Sequence, residues 1–519
     1  MTAQIFTGIL VVGFFALMIA VGLYCRKHAT DVNGFVLGGR NVGPWLTAFA
    51  YGTSYFSAVV FVGYAGQFGY KYGLAATWIG IGNAVIGSLL AWIVLGRRTR
   101  VMTQHLNSAT MPQYFGERFE SKTMKIVSSA IIFVFLIPYT ASLYNGLSRL
   151  FGMAFNIDYS VCILLMSVLT AIYVIIGGYM ATAINDFIQG IIMLVGIVAV
   201  IVAVLNSHGG LMEAVDKMAQ VTDETVSTTP GIFASLLGPD PLNLMFVVIL
   251  TSLGTWGLPQ MVGKFYAITN EKAIKRGTII STLFALVVAG GCYFLGGFGR
   301  LYSDQIDIAA NGYDSVVPTM IQNLSPALIA LVVILVLSAS MSTLSSLVIA
   351  SSSTLTIDFL KETCMKKMDE KKQLLTIRIW IVIFIAISAV IALVQYKSSV
   401  TFIARLMGVS WGALAGAFLA PFLYSLYWKG TTKISCYVCF AFGCILMLVD
   451  MCGNLTGNHI LPEIMRSPIN CGAIAMLAGL VIVPVVSWIT PKMDKVKLDE
   501  LFSCYDKTTV VSKKNSLGE

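Results

Sequence analysis

Apolar residues in this chain come in runs of about twenty, separated by short clusters of charge, glycine and proline. A helix needs roughly 20 apolar residues to cross a bilayer core. Read against that length, the chain holds about thirteen spans. They lie near 4–24, 45–70, 74–96, 126–150, 158–180, 183–205, 242–265, 278–299, 324–352, 375–395, 399–427, 434–453 and 469–490. Of 519 residues, 57% are hydrophobic and 11% charged, where a soluble domain carries about 25% charge. No water-soluble fold hides that much apolar surface. A soluble enzyme, a nucleic-acid binder and a disordered chain are excluded, and an all-α polytopic membrane protein is expected. Residues 1–490 form one transmembrane unit and 491–519 a tail.

The run from Ile5 to Tyr24 has no basic segment before it and no small-residue cleavage site after it. It reads as a retained helix rather than a signal peptide. The ten cysteines are scattered singly through apolar runs, apart from the Cys436–Cys439 pair, which no second pair or histidine cluster completes as a zinc site.

Charge sets the orientation. Basic residues collect in alternate loops: Arg26, Lys27 and Arg40; then Arg97, Arg98, Arg100, Arg118, Lys122 and Lys125; then Lys272, Lys275 and Arg276; then Lys361, Lys366, Lys367, Lys371 and Lys372; then the C-terminal tail. The intervening loops are acidic, with Glu213, Asp216, Asp223, Glu224 and Asp240 in 207–241, and Asp304, Asp307 and Asp314 in 301–323. Cytoplasmic loops carry the excess of Lys and Arg. The N-terminus is therefore expected outside and the C-terminus inside a cell membrane, and the net charge of +9 is a topology signal, not a nucleic-acid footprint.

Two spans carry polar clusters at membrane depth. The second reads Ala50-Tyr51-Gly52-Thr53-Ser54-Tyr55-Phe56-Ser57, and the seventh reads Thr251-Ser252-Leu253-Gly254-Thr255-Trp256-Gly257-Leu258-Pro259-Gln260. Their spacing fits an inverted five-helix repeat, spans 2–6 (45–205) and 7–11 (242–427), with a discontinuous helix opening each half. Unwound backbone there offers carbonyls to a cation; the other reading is that small residues merely allow close helix packing. In the ninth span, Ser342, Thr343, Ser345 and Ser346 fall within about one helical turn. Hard oxygens without a carboxylate cage suit Na⁺, although hydroxyls also bond back to their own helix and bend it. Asp186 opens the sixth span as a helix cap or an ion-pathway carboxylate. Arg405, about two turns into the eleventh, either snorkels to the interface or meets a substrate carboxylate. The histidines fall in loops or near helix ends, against a histidine proton relay.

The run Phe35-Val36-Leu37-Gly38-Gly39-Arg40 with Gly43-Pro44 resembles the sodium:solute symporter family. So do Gly177-Gly178-Tyr179, Asp186, Gln189-Gly190 and Ser342-Thr343-Leu344-Ser345. The chain is similar to the proline and pantothenate permeases, with Gly254, Gly257-Leu258-Pro259 and Lys272-Ala273 on the pantothenate side. The resemblance covers about residues 5–490 and implies a thirteen-span LeuT-type fold with Na⁺ as coupling ion and alternating access. It places one Na⁺ on the carbonyls of Thr53, Phe56 and Ala339 and the hydroxyls of Ser342 and Thr343, and a second on Asp186, Ser345 and Ser346. It places the solute near Ser54, Tyr55, Ser57, Tyr139, Thr251 and Thr255. The proline permeases have an acid where Tyr55 stands and two aromatics where Thr251 and Thr255 stand, so the resemblance does not carry proline itself over.

The expectation is therefore a non-enzymatic symporter that imports a small organic solute, a carboxylate such as pantothenate or an amino acid, with the monomer sufficient. The rival is a non-transporting sensor on the same fold, and the short tail 491–519 speaks against the added signalling domain it needs. A channel lacks its repeated pore motif or charged ring. An intramembrane enzyme lacks its paired carboxylates.

Overall fold

The computed structural model describes residues 3–155, 158–397 and 403–506. Residues 399–402 of the eleventh run and 507–519 of the tail lie outside them. Among the described residues, eleven helical segments are long and apolar enough to cross a membrane. Two of these exceed a single pass: Val59–His105 has 47 residues and Tyr159–Ser207 has 49, about 70 Å if straight against a core of about 30 Å. Each carries two of the expected spans and breaks between them at a glycine with left-handed φ, Gly73 (+63°) and Gly178 (+57°). The twelve-residue helix Pro44–Tyr55 supplies the first half of the second span. The expected spans are thus all present as helix, joined differently from the way charge and breakers alone suggested.

The basic loops share one end of the bundle. Arg40 Nη1 donates to the Tyr266 carbonyl at 3.3 Å, and Arg100 Nε to the Ile268 carbonyl at 2.6 Å. Lys497 pairs with Glu120 at 2.9 Å and Lys429 with Asp499 at 2.6 Å. At the opposite end Arg300 pairs with Asp223 at 2.7 Å, donates to the Tyr70 carbonyl at 2.6 Å and lies over the Tyr70 and Phe233 rings. A parallel bridge joins Val42, just before the second span, to Ile268, just after the seventh. The start of one discontinuous span meets the end of the other, so the two run in opposite directions, as an inverted repeat requires.

The ninth span, Pro326–Thr354, is the axis of the molecule. Almost every residue from Val332 onward is buried, polar ones included. A helix buried all round, carrying ten or so hydroxyls, needs partners for them; several bond back to their own helix, and those of Ser340, Ser342, Thr343 and Ser346 meet the broken second span.

Candidate functional site

The second span loses its helix at Phe56, whose backbone turns extended (φ −91°, ψ 124°), and resumes as a π-helical turn at Val59–Tyr64. Local chemistry favours the break. Thr53 Oγ1 and Ser54 Oγ bond back to the carbonyls of Phe49 (2.8 Å) and Ala50 (2.6 Å), a pattern that bends helices. Beyond the break, the Ala58 amide donates to Ser340 Oγ at 3.2 Å. The carbonyls of Thr53 and Phe56 are left facing the ninth span.

There they meet the hydroxyls predicted to share a cation with them. Ser342 Oγ lies 3.1 Å from Thr53 O and 3.0 Å from Ala339 O. Thr343 Oγ1 lies 3.2 Å from Thr53 O, 3.2 Å from Phe56 O and 3.1 Å from Ala339 O. All five residues are at most 1% exposed. A hydroxyl has one proton, so only two of these five contacts can be hydrogen bonds at a time. The others set oxygen lone pairs against one another in a dry site, an arrangement that a cation relieves. Oxygens held about 2.3–2.6 Å from a hard cation, the calcium range, stand about 3.3–3.7 Å apart at right angles, a small expansion from the spacing here.

The residues expected around a second ion divide. Ser345 Oγ donates to the Ser342 carbonyl of its own helix at 2.9 Å. Asp186 and Ser346 do meet, but around the ammonium of Lys264, which stands 3.6 Å from Asp186 Oδ2 and 2.9 Å from Ser346 Oγ. Ser346 Oγ lies in turn 2.7 Å from Ser54 Oγ. Lys264 is 3% exposed. Asp186 and Arg405 were expected to be the charges at membrane depth, and Lys264 is one that reading missed. It stands at the last turn of an apolar run, where a lysine passes for an interfacial residue. Counting it inside the run was the available signal. A cavity on the basic-loop side reaches Lys264 and Ser346, lined also by Thr110, Tyr179 and Gln260 among others.

The expected solute residues also divide. Tyr139 lies beside Ser57 and Trp411, and Tyr55 beside Thr251. Trp411 packs against the rings of Tyr55 (5.8 Å between centroids) and Tyr139 (6.0 Å). The hydroxyls of Tyr55, Ser57 and Tyr139 and the Trp411 indole N–H are buried without a well-formed hydrogen bond. Buried polar atoms are seldom left so, and four in one cluster suit a polar ligand. Trp411 was missed, since aromatic residues in apolar runs are ordinary core. Thr255 faces elsewhere, donating to Gly87 O (3.1 Å), which also accepts from Tyr51 OH (2.8 Å). Gly87 lies in a π-helical stretch, Asn83–Leu90, of the third span, and such stretches free carbonyls for outside partners. Ser54 faces the Lys264 pair. Arg405 is exposed at the acidic-loop end, in electrostatic reach of Lys71 and Asp450, and is not brought into the cluster.

Comparison with known proteins gives a family and a fold. A model of the sodium:solute symporter family matches residues 35–438. The osmoregulated proline transporter OpuE of Bacillus subtilis (strain 168) is 27% identical, over 95% of this chain and 96% of its own length. The sodium/proline symporter of Staphylococcus aureus (strain JH9) is 29% identical, over 94% and 93%. Among solved structures, a substrate-bound, outward-open Na⁺-coupled sialic acid symporter, described as revealing a novel Na⁺ site, superposes with a TM-score of 0.73 at 16% identity. That alignment covers 95% of this chain and 99% of the other.

Proposed function

The chain belongs to the sodium:solute symporter family, and from that premise we propose that it imports a small organic solute by coupling its entry to Na⁺ bound between the second and ninth spans. The observation that carries this is the convergence of Thr53 O, Phe56 O, Ala339 O, Ser342 Oγ and Thr343 Oγ1 within 3.0–3.2 Å contacts. Two of these oxygens belong to the second span and three to the ninth. An ion that binds them fixes the broken second span against the ninth. That span carries Tyr55 and Ser57, so the same ion orders one wall of the solute cluster formed with Tyr139, Thr251 and Trp411. Coupling of this kind is reciprocal: if Na⁺ raises solute affinity, solute raises Na⁺ affinity by the same factor.

The basic-loop face is assigned to the cytoplasm of a cell membrane by the excess of Lys and Arg it gathers, which puts the N-terminus outside and the tail 491–519 inside. The halves 45–205 and 242–427 are the two repeats, and rocking of one helix bundle against the other exposes the site to either side. The cavity at Lys264 then lies on the release path. OpuE and the Staphylococcus aureus symporter are proline transporters by name, so amino acids are the first class to try. The hydroxyl-rich cluster, with Tyr55 where proline permeases carry an acid, widens the choice to short carboxylates such as pantothenate.

A melting-temperature screen of amino acids, short carboxylates, pantothenate and sugars, each with and without Na⁺, identifies the solute, because a ligand that binds only the folded state raises the midpoint. Uptake of that solute into proteoliposomes then tests transport. Accumulation above the outside concentration is expected under an inward Na⁺ gradient. Equilibration alone, indifferent to the gradient, overturns the reading.

A further inference from the structure

The pair formed by Lys264 and Asp186 is the deepest ionic contact among the described residues that lie near the sodium oxygens. Lys264 Nζ is 3.6 Å from Asp186 Oδ2, 2.9 Å from Ser346 Oγ and 5.2 Å from the centroid of the Tyr179 ring. Both charged side chains are buried, at 3% and 0% exposure. Three kinds of cation-binding group therefore surround one nitrogen: a carboxylate, a hydroxyl oxygen and an aromatic face. An inorganic ion held by Asp186 and Ser346 would stand about 2.3–2.6 Å from each oxygen. That is the space the ammonium fills, and its charge repels a second cation from the remainder.

The position is also wired to the sodium site. Ser346 Oγ touches Ser54 Oγ at 2.7 Å, and Ser54 is the residue after Thr53, whose carbonyl accepts from both Ser342 and Thr343. Ser345 and Ser346 lie within one turn of those hydroxyls on the ninth span. Whatever cation stands at Asp186 therefore braces the sixth, seventh and ninth spans and the second-span break together.

We propose that the Lys264 ammonium is a tethered second cation, held by Asp186 and Ser346, so that Na⁺ binds only at the Thr53–Thr343 oxygens, one ion per chain. This rests on the sodium-coupled reading above for the identity of the free ion. It replaces the expectation of a second Na⁺ on Asp186, Ser345 and Ser346. A lysine cannot leave with the solute, so the cation at Asp186 stays through the cycle and contributes no sodium gradient energy to transport.

The test is a count of radiolabelled sodium bound per purified chain, at saturating Na⁺ with choline keeping ionic strength constant. Wild type is expected to bind one ion, Lys264→Gln one more than wild type, and Lys264→Met/Asp186→Asn the wild-type number. The double variant keeps volume and removes both charges, so it remains informative should Lys264→Gln fail to fold: a second ion in it overturns the proposal. A wild-type count of two, or a folded Lys264→Gln that binds no extra ion, also overturns it. Failure of the underlying reading is distinguishable. A wild-type count of one whose affinity is unmoved by Thr343→Ala rejects the sodium site at the second-span break, while a new ion in Lys264→Gln still upholds the tether.

Discussion

Thr343 Oγ1 lies 3.2 Å from the Phe56 carbonyl, at the residue where the second span stops being a helix. Neither atom has a reason to be there alone. The carbonyl is freed by the break, and the hydroxyl sits on a helix so buried that it must find a polar partner inside the protein. The two needs meet, and with Ser342 they leave more oxygens than protons. Removing one hydroxyl removes a ligand from a desolvated ion. Contacts to charged groups are worth about 1.5–3 kcal/mol, so Thr343→Ala and Ser342→Ala are each expected to raise the Na⁺ concentration for half-maximal uptake by about ten- to a hundredfold. Titrating Na⁺ in proteoliposome uptake measures this, and unchanged sodium activation in both variants refutes the assignment.

Gly178 makes the turn between the fifth and sixth spans with φ +57° and ψ −154°, a region essentially closed to residues with a Cβ. Space is short as well: a Cβ there would stand 2.8 Å from Phe35 Cδ2 and 3.0 Å from the Phe35 carbonyl. Strained backbone of this kind costs of order 1–3 kcal/mol. Gly178→Ala should lower the melting midpoint in detergent by several degrees. Gly8→Ala, with open space around it, should leave the midpoint in place.

The span pattern and the residues proposed to hold sodium were legible in the sequence because each rests on local chemistry: run length for the former, hydroxyl spacing and the family motif for the latter. The joins between spans were less so. The sequence set span ends near 70–74 and 180–183, but not that the helical pattern runs on through Gly73 and Gly178, which turn the chain at φ +63° and +57°. The Lys264–Asp186 pair was not legible, since the two residues belong to different repeats and only packing brings them within 3.6 Å. Trp411 was hidden for the same reason. It is one aromatic among many in apolar runs until Tyr55 and Tyr139 are seen to face it.

Asp223 on the acidic-loop face is held low by the Thr225 hydroxyl and by Arg300 at 2.7 Å, from the ordinary 3.8 to about 2. A carboxyl whose folded value is depressed adds stability above its unfolded value and loses it as pH falls through the folded one. The contribution is full at neutral pH and disappears between about pH 4 and pH 2. With Asp223 24% exposed, solvent screening leaves about 1–2 kcal/mol. Asp223→Asn should therefore melt lower than wild type at neutral pH, with the gap closing on acidification. A gap independent of pH contradicts the ion pair.

Breaking the Asp186–Lys264 pair on one side strands a charge in a low-dielectric interior, whereas removing both charges does not. Single removal from a buried pair costs about 3–5 kcal/mol, and replacing both partners is often neutral. Asp186→Asn is expected to be the least stable variant, with Asp186→Asn/Lys264→Met recovering most of the loss. Melting midpoints of the four members of the cycle give the coupling. Additive losses would mean that the two groups do not sense each other.

The last prediction separates the buried cluster from Arg405, which the sequence offered either as a snorkelling residue or as a partner for a substrate carboxylate. Trp411 and Tyr139 stand edge to face at 6.0 Å with polar atoms turned inward, while Arg405 is exposed at the acidic-loop end. Tyr139→Phe removes one donor and nothing of the ring; a hydrogen bond is worth about 0.5–1.5 kcal/mol, so solute affinity should fall by about two- to tenfold. Trp411→Ala removes a wall as well and should abolish the solute-dependent rise in melting midpoint. Arg405→Gln should leave that rise intact, because its guanidinium does not reach the cluster. A solute shift lost in Arg405→Gln and kept in Trp411→Ala would move the binding site outward, to the acidic-loop end where Arg405 stands within electrostatic reach of Lys71 and Asp450.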